Sequence, residues 1–246
     1  SRFRLDPLRG PALWFAEAAE VGKGPALELQ AIGNGLQALG SVPIPERVCA
    51  WLNVSALTLV SGGLTEHLQG FPLSRIVLEV TEHDHVDDYE TFNEALRPLR
   101  EQGARIAIDD AGAGYSSMAH ILNVAPDFIK LDLSITRDID TDRKRRALAA
   151  ALIEFGRQSD CKIVAEGVET AAELSALRHL GVHFAQGSFI SQPVTSARLQ
   201  ATLRSLADHP GTPVTSSRLR HSRLGWRSPP VRSPHPPRPA SLARVS

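Results

Sequence analysis

A parallel α/β barrel is the fold this 246-residue sequence predicts, and three observations predict it. Short β-branched runs alternate with longer helix-periodic segments, the pattern of repeated βα units. The runs end abruptly in carboxylates, amides or a lysine instead of fading into ordinary turns. The length also suits one such domain, for which roughly 200 to 250 residues is normal, and 42% hydrophobic residues suffice for a sizeable core.

Taken in order, helical periodicity occupies residues 12–21 and 25–39, and Ala50–Ser55 reads as a strand that ends at Asn53. A β-branched run at 75–80 is followed by a helical segment at 88–102, and a second run at 104–108 leads to a third at 127–131. A helix at 143–159 then precedes a strand at 161–165. The polar strand ends fall at Asn53, Glu79, Asp109 with Asp110, Lys130 with Asp132, Glu166 and Gln186, each separated from the next by enough chain for a crossover helix. In a closed barrel of such units these ends share one face, where active sites of that architecture are built. An open doubly wound sheet is the structural alternative, but it would gather ligands at a single switch point.

Charge and composition divide the chain at about residue 208. The formal net charge is +0, yet residues 209–246 hold seven Arg, no acidic residue and eight of the 17 Pro, so the body is acidic and the tail basic. Such a segment cannot bury enough surface to offset its ordering entropy and is expected to be a disordered Pro/Arg/Ser-rich tail behind a barrel domain at 1–208. Deleting 209–246 is therefore expected to leave the melting temperature and any ligand binding nearly unchanged; a large loss of thermal stability would show that the tail docks on the barrel. The Arg residues suit a solvated tail better than a nucleic-acid arm. Cys49 and Cys161 lack metal or redox spacing and read as reduced thiols of a cytoplasmic protein. No apolar run approaches the ~18 residues of a membrane span, and no signal peptide is visible.

Strands that stop in acid are costly unless the carboxylates converge on cations or donors. Carboxylate and amide oxygens are hard ligands suited to Mg²⁺ or Mn²⁺, and the adjacent Asp109 and Asp110 can address two ions from one strand end. Two ions ~3.5 to 4 Å apart suit an in-line displacement at phosphorus, the chemistry of phosphodiester cleavage. Lys130 brings fixed positive charge into this cluster and Asp132 is placed to pin it, while Glu166 is the candidate general base. The Gly-rich turn Ala111-Gly-Ala-Gly-Tyr115 suits close approach of a ligand. Singly, each residue has a plain structural role: Asp109 or Asp110 as a helix cap near Ser116, Glu82 and Glu169 as surface acids, Asn53 as a turn former, Lys130 with Asp132 as a salt bridge, Gln186-Gly187 as a polar loop. Their joint occurrence at successive strand ends favours a shared site.

The landmarks Trp14-Phe-Ala-Glu-Ala-Ala-Glu20, Asn53-Val-Ser55, Leu78-Glu-Val-Thr-Glu82, the Asp109 loop, Lys130-Leu-Asp132, Ala165-Glu-Gly-Val-Glu169 and Gln186-Gly187 resemble, in this order, the EAL-domain family of cyclic di-GMP phosphodiesterases. The resemblance runs from Ser1 to about Leu206. It implies a modified TIM-like (β/α) barrel that uses two Mg²⁺ or Mn²⁺ ions to open cyclic di-GMP to linear pGpG. By motif, Asn53, Glu79 and Asp109 correspond to metal ligands, with Asp110 serving the second ion; Glu166 corresponds to the general base and Lys130 to its electrostatic partner. Glu82 corresponds to the anchor of the loop after Asp110. Arg2 and Gln186 fall at substrate-side positions, and Asp132, Glu169 and Gln186 would complete the metal and water network. The resemblance leaves room for a homodimer and for an upstream regulatory or GGDEF-type domain in the parent protein.

Departures from the pattern shape a second reading. Ser1-Arg2-Phe3 looks like the piece that follows the Glu-Ala-Leu signature, so the barrel is expected to be truncated at its N-terminus, without the signature Glu and the first strands, and turnover by residues 1–246 alone is expected to be impaired. Ala111 stands where the family has Phe, and Ser188 and Gln192 replace the usual Tyr and Arg after Gln186-Gly187. A non-catalytic cyclic di-GMP receptor is accordingly the alternative to an enzyme.

Overall fold

Six parallel strands lie side by side in chain order, β1-β2-β3-β4-β5-β6, in a computed structural model that describes residues 10–46, 48–81, 86, 88–111, 116–195 and 198–203. They are β1 (Ala50–Asn53), β2 (Ile76–Thr81), β3 (Arg105–Ala111), β4 (Phe128–Leu131), β5 (Lys162–Ala165) and β6 (Phe184–Ala185). Among the described strands the order never reverses, so they form no switch point of the doubly wound kind. Strands spaced ~4.8 Å apart would put β1 and β4 about 14 Å from each other in a flat sheet. The rings of Trp51 on β1 and Phe128 on β4 are nevertheless 4.8 Å apart, and Phe128 also meets Phe184 of β6 at 6.0 Å. The sheet is curled, and these aromatics fill its concave side as an arc of a barrel.

The helices are α1 (Pro11–Glu20), α2 (Gly24–Gly40), α3 (Ala56–Ser61), α4 (Leu64–His67), α5 (Tyr89–Glu101), α6 (Ser116–Val124), α7 (Leu133–Thr136), α8 (Arg143–Gln158) and α9 (Ala171–Leu180). The four helical segments expected from periodicity are α1, α2, α5 and α8, each within two residues of its expected ends. The short α3, α4 and α7 fall below the length at which periodicity can be read. Local chemistry sets several starts: Asp88 accepts from Glu90 N–H, Asp142 from Lys144 and Arg145 N–H, and Thr170 with Glu173 forms a reciprocal capping box.

Burial follows strand alternation. Ile76, Leu78, Val80, Ile106, Ile108, Ile129, Leu131, Ile163 and Ala165 point outward and join Phe92, Leu96, Ile121, Leu152 and Leu177 of the helices in the main core. The intervening residues Val77, Ala107, Phe128 and Val164 form a smaller cluster on the concave side. Both cysteines are free thiols, and burial pushes that of Cys161 up to about 12, which makes it a packing residue. Among the described residues no helix is long and apolar enough to cross a membrane. The 209–246 tail lies outside the described residues.

Candidate active site

The inward-facing apolar layer places the polar one. Two residues beyond Trp51, Val77, Ala107, Phe128, Val164 and Phe184 come Asn53, Glu79, Asp109, Lys130, Glu166 and Gln186. A period of two returns the chain to the same face, so each apolar position of the interior carries a polar one about 6.6 Å above it at the C-terminal end of its strand. The pairing of Asn53 with Glu79 across β1 and β2 sets those two side by side. Asn53 is exposed, whereas Glu79 is 7% exposed.

Lys130 is the centre of the arrangement. Only 4% exposed, it sends Nζ to Glu79 Oε1 at 3.1 Å, Asp109 Oδ1 at 2.8 Å and Glu166 Oε1 at 2.7 Å. Burial alone would favour the neutral amine, but the surrounding carboxylates outweigh it and hold the ammonium above the ordinary lysine range. Burial pushes the Glu79 carboxyl up; Lys130 opposes this, Asp109 and Glu166 add to it, and the net shift is upward. Glu166 behaves alike, with burial first, Lys130 against it, and Asp109 and Asp110 pushing further up. Three carboxylates thus share one ammonium, with Asp110 beside two of them, an excess of negative charge that suits further cations.

A bulge lets two neighbouring aspartates serve one face. Ile108 pairs with Ile129 and Ala111 with Leu131, so Asp109 and Asp110 together oppose the single residue Lys130. Asp110 takes φ 55°, the left-handed region that Asp tolerates better than most residues, and its N–H donates to Asp109 Oδ1 at 2.9 Å. In a regular strand the two side chains would point to opposite faces. Here one oxygen each from Asp109, Asp110 and Glu166 lie within 4.8 Å of one another. The oxygens of Asp109 and Asp110, with Glu79 and Asn53 adjacent, fit a hard divalent cation such as Mg²⁺ or Mn²⁺, and Glu166 borders the place such an ion would take.

The supporting residues are placed as follows. Asp132 caps α7 by accepting from Ser134 N–H at 2.8 Å. Glu169 pairs at 3.6 Å with Arg137 toward the surface. Gln186 is exposed and its backbone is tied on both sides, its N–H to Ala165 O and its C=O to Val168 N–H. A Cβ on Gly187 would lie 2.1 Å from Val168 O and 2.3 Å from Val168 N, so only glycine permits this close pass behind the Glu166 loop. Arg2 and Glu82, expected at the substrate and at the loop anchor, lie outside the described residues, as do Gly112–Tyr115.

Glu173 escaped the sequence reading of the site, although Thr170-x-x-Glu173 is a capping-box signal. Its carboxylate, on a residue 5% exposed, accepts from the N–H groups of Glu169 and Thr170 at 2.9 Å each and from Asp138 N–H at 3.1 Å. It thereby fastens the chain after Glu166 to the turn after α7. Burial pushes this carboxyl up, but the backbone donors outweigh it and hold the group below the ordinary range. Because the folded pKa is depressed, the stabilisation is full above the unfolded value of ~4.3 and fades as pH falls through the folded one. Glu173→Gln, which turns one accepting oxygen into a donor, is expected to cost about 1–3 kcal/mol at pH 7 and progressively less in acid. Urea unfolding of both proteins at pH 7 and pH 3.5 checks this; a gap that widens in acid would contradict it.

Comparison with known proteins places this geometry. The model of the EAL domain matches residues 4–193. The bifunctional diguanylate cyclase/cyclic di-GMP phosphodiesterase MucR of Pseudomonas aeruginosa is 32% identical over 158 residues, 62% of this chain and 23% of MucR. The cyclic di-GMP phosphodiesterase NbdA of the same organism is 32% identical over 177 residues, 70% of this chain and 23% of NbdA. The chain therefore spans under a quarter of the length of either relative. Among solved structures, the manganese and cyclic di-GMP complex of Klebsiella pneumoniae BlrP1 superposes with a TM-score of 0.68 at 28% identity, covering 77% of this chain and 50% of that one. The PaMucR phosphodiesterase in complex with cyclic di-GMP gives 0.68 at 27% identity, covering 78% and 88%.

Proposed function

The chain belongs to the EAL-domain family, and from that premise we propose that it hydrolyses cyclic di-GMP to linear pGpG at the polar layer above the concave face. The observation that carries the reading is Lys130 bonded at once to Glu79, Asp109 and Glu166, carboxylates brought by three different strand ends, with Asp110 turned to the same side by a bulge. Asn53, Glu79, Asp109 and Asp110 would hold two Mg²⁺ or Mn²⁺ ions. Bound there, the ions supply Lewis-acid stabilisation of the phosphoryl oxygens and acidify an attacking water. Glu166 accepts the proton of that water; its upward-shifted carboxyl is a stronger base than a free glutamate, and Lys130 holds it in place. Lys130 also offsets charge that builds on the phosphorus centre. Gln186 and Arg2 contact the substrate, and Glu82, Asp132 and Glu169 secure the loops that carry the ligands.

A homodimer, a cytoplasmic site of action and an upstream regulatory or GGDEF-type domain belong to the same proposal; the bifunctional name of MucR supports the last. The test is hydrolysis by protein containing residues 1–246 across a Mn²⁺ series, for wild type, Asp109→Asn and Asp110→Asn. Both variants are expected to need more Mn²⁺ and to regain part of their rate when it is supplied, as damaged ligands do. Defects that ignore Mn²⁺ would remove the metal-ligand assignment of these residues.

A further inference from the structure

We infer that Glu28 of α2, a residue outside the polar layer, is a positioning residue for Asn53 and thereby for the metal site; the inference rests on the reading of Asn53 as a ligand given above. Asn53 is the last residue of β1, and its side chain makes no hydrogen bond to the described residues, so the backbone alone sets its aim. That backbone is held from two sides. On the sheet side Asn53 is in register with Glu79, and Val54 N–H donates to Glu79 O at 2.9 Å. On the helix side a single oxygen of Glu28, Oε2, accepts from Ser55 N–H at 3.0 Å, Ser55 Oγ at 2.8 Å and Thr58 Oγ1 at 2.5 Å.

The capping of α3 does not require this. Ser55 Oγ already accepts from Thr58 N–H at 3.2 Å, an ordinary N-cap closed within its own turn. Glu28 adds a hold from a helix 27 residues earlier in the chain, on an N–H two residues beyond Asn53 and on a Thr58 that is fully buried. Charge-assisted bonds of this kind are stronger than neutral ones. A carboxylate gripping the turn next to a ligand does for Asn53 what outer-shell partners do for metal-bound histidines and carboxylates, whose loss commonly costs about 10- to 100-fold in metal affinity.

The test is direct Mn²⁺ binding, followed by electron paramagnetic resonance of free Mn²⁺ in protein containing residues 1–246, with no substrate present. Glu28→Ala is expected to weaken Mn²⁺ about 10-fold or more, and Glu28→Gln, which keeps one accepting oxygen, to restore part of the loss. A double-mutant cycle separates positioning from general loss of structure: in an Asn53→Ala background Glu28→Ala should change Mn²⁺ affinity less than about 2-fold, because its effect passes through Asn53. If Glu28→Ala does not fold, Glu28→Gln replaces it in the same cycle. Undiminished Mn²⁺ affinity in both Glu28 variants, or an equal loss with and without Asn53, overturns the inference. Wild-type protein that binds no Mn²⁺ would instead refute the metal site itself, so the two failures are distinguishable.

Discussion

Glu166→Gln is expected to lower the rate of cyclic di-GMP hydrolysis by about 10² to 10⁴, the usual cost of losing a general base, while leaving dinucleotide binding close to wild type. The substitution preserves shape, and an amide oxygen can still accept the Lys130 bond now made at 2.7 Å. What disappears is the ability to take a proton. The defect should therefore persist at high Mn²⁺, unlike that of Asp109→Asn or Asp110→Asn. Steady-state turnover and equilibrium binding of the same preparations check the split. Full activity in Glu166→Gln, or a defect rescued by metal, would move the role of base to another carboxylate of the cluster.

Lys130→Met is expected to produce the largest loss of stability. It removes the only described cation among Glu79, Asp109 and Glu166 and leaves carboxylates packed together with little solvent. Breaking a buried pair by deleting one partner costs about 3–5 kcal/mol, far more than the loss of an exposed salt bridge. The pH dependence has a definite sign. Burial already raises Glu79 and Glu166, and without the ammonium they rise further, so the folded variant takes up protons as pH falls. The deficit should be full near pH 7 and should shrink toward pH 5, as read by urea unfolding. A deficit under about 1 kcal/mol that is flat with pH would mean that the ion pairs contribute little.

Much of this arrangement is legible in the sequence because strand periodicity is strict. Val77 and Glu79, Phe128 and Lys130, and Val164 and Glu166 are each separated by two residues, so an inward apolar position guarantees an inward polar one. The polar ends of β1 to β6 follow from that rule alone. The rule breaks at Asp109 and Asp110, where alternation would send one carboxylate outward. The bulge and the φ of 55° at Asp110 reverse this, and both depend on pairing with β4, which is not encoded locally. Partnerships across sequence are hidden for the same reason. Glu28 with Ser55, and Glu173 with Asp138, join residues 27 and 35 positions apart, and only the packing of α2 and α9 against the loops reveals them. The carboxylate of Asp132 also serves as the N-cap of α7, a role that a helix of only four residues leaves invisible to periodicity.

The most direct measurement is the fate of cyclic di-GMP mixed with excess Mn²⁺ and the natural full-length protein that contains residues 1–246, resolved by chromatography over time with and without EDTA. Conversion to linear pGpG that stops on chelation is the predicted result. Stoichiometric binding of cyclic di-GMP that is recovered intact, with Mn²⁺ present and the polar layer unaltered, would contradict hydrolysis and identify a receptor instead.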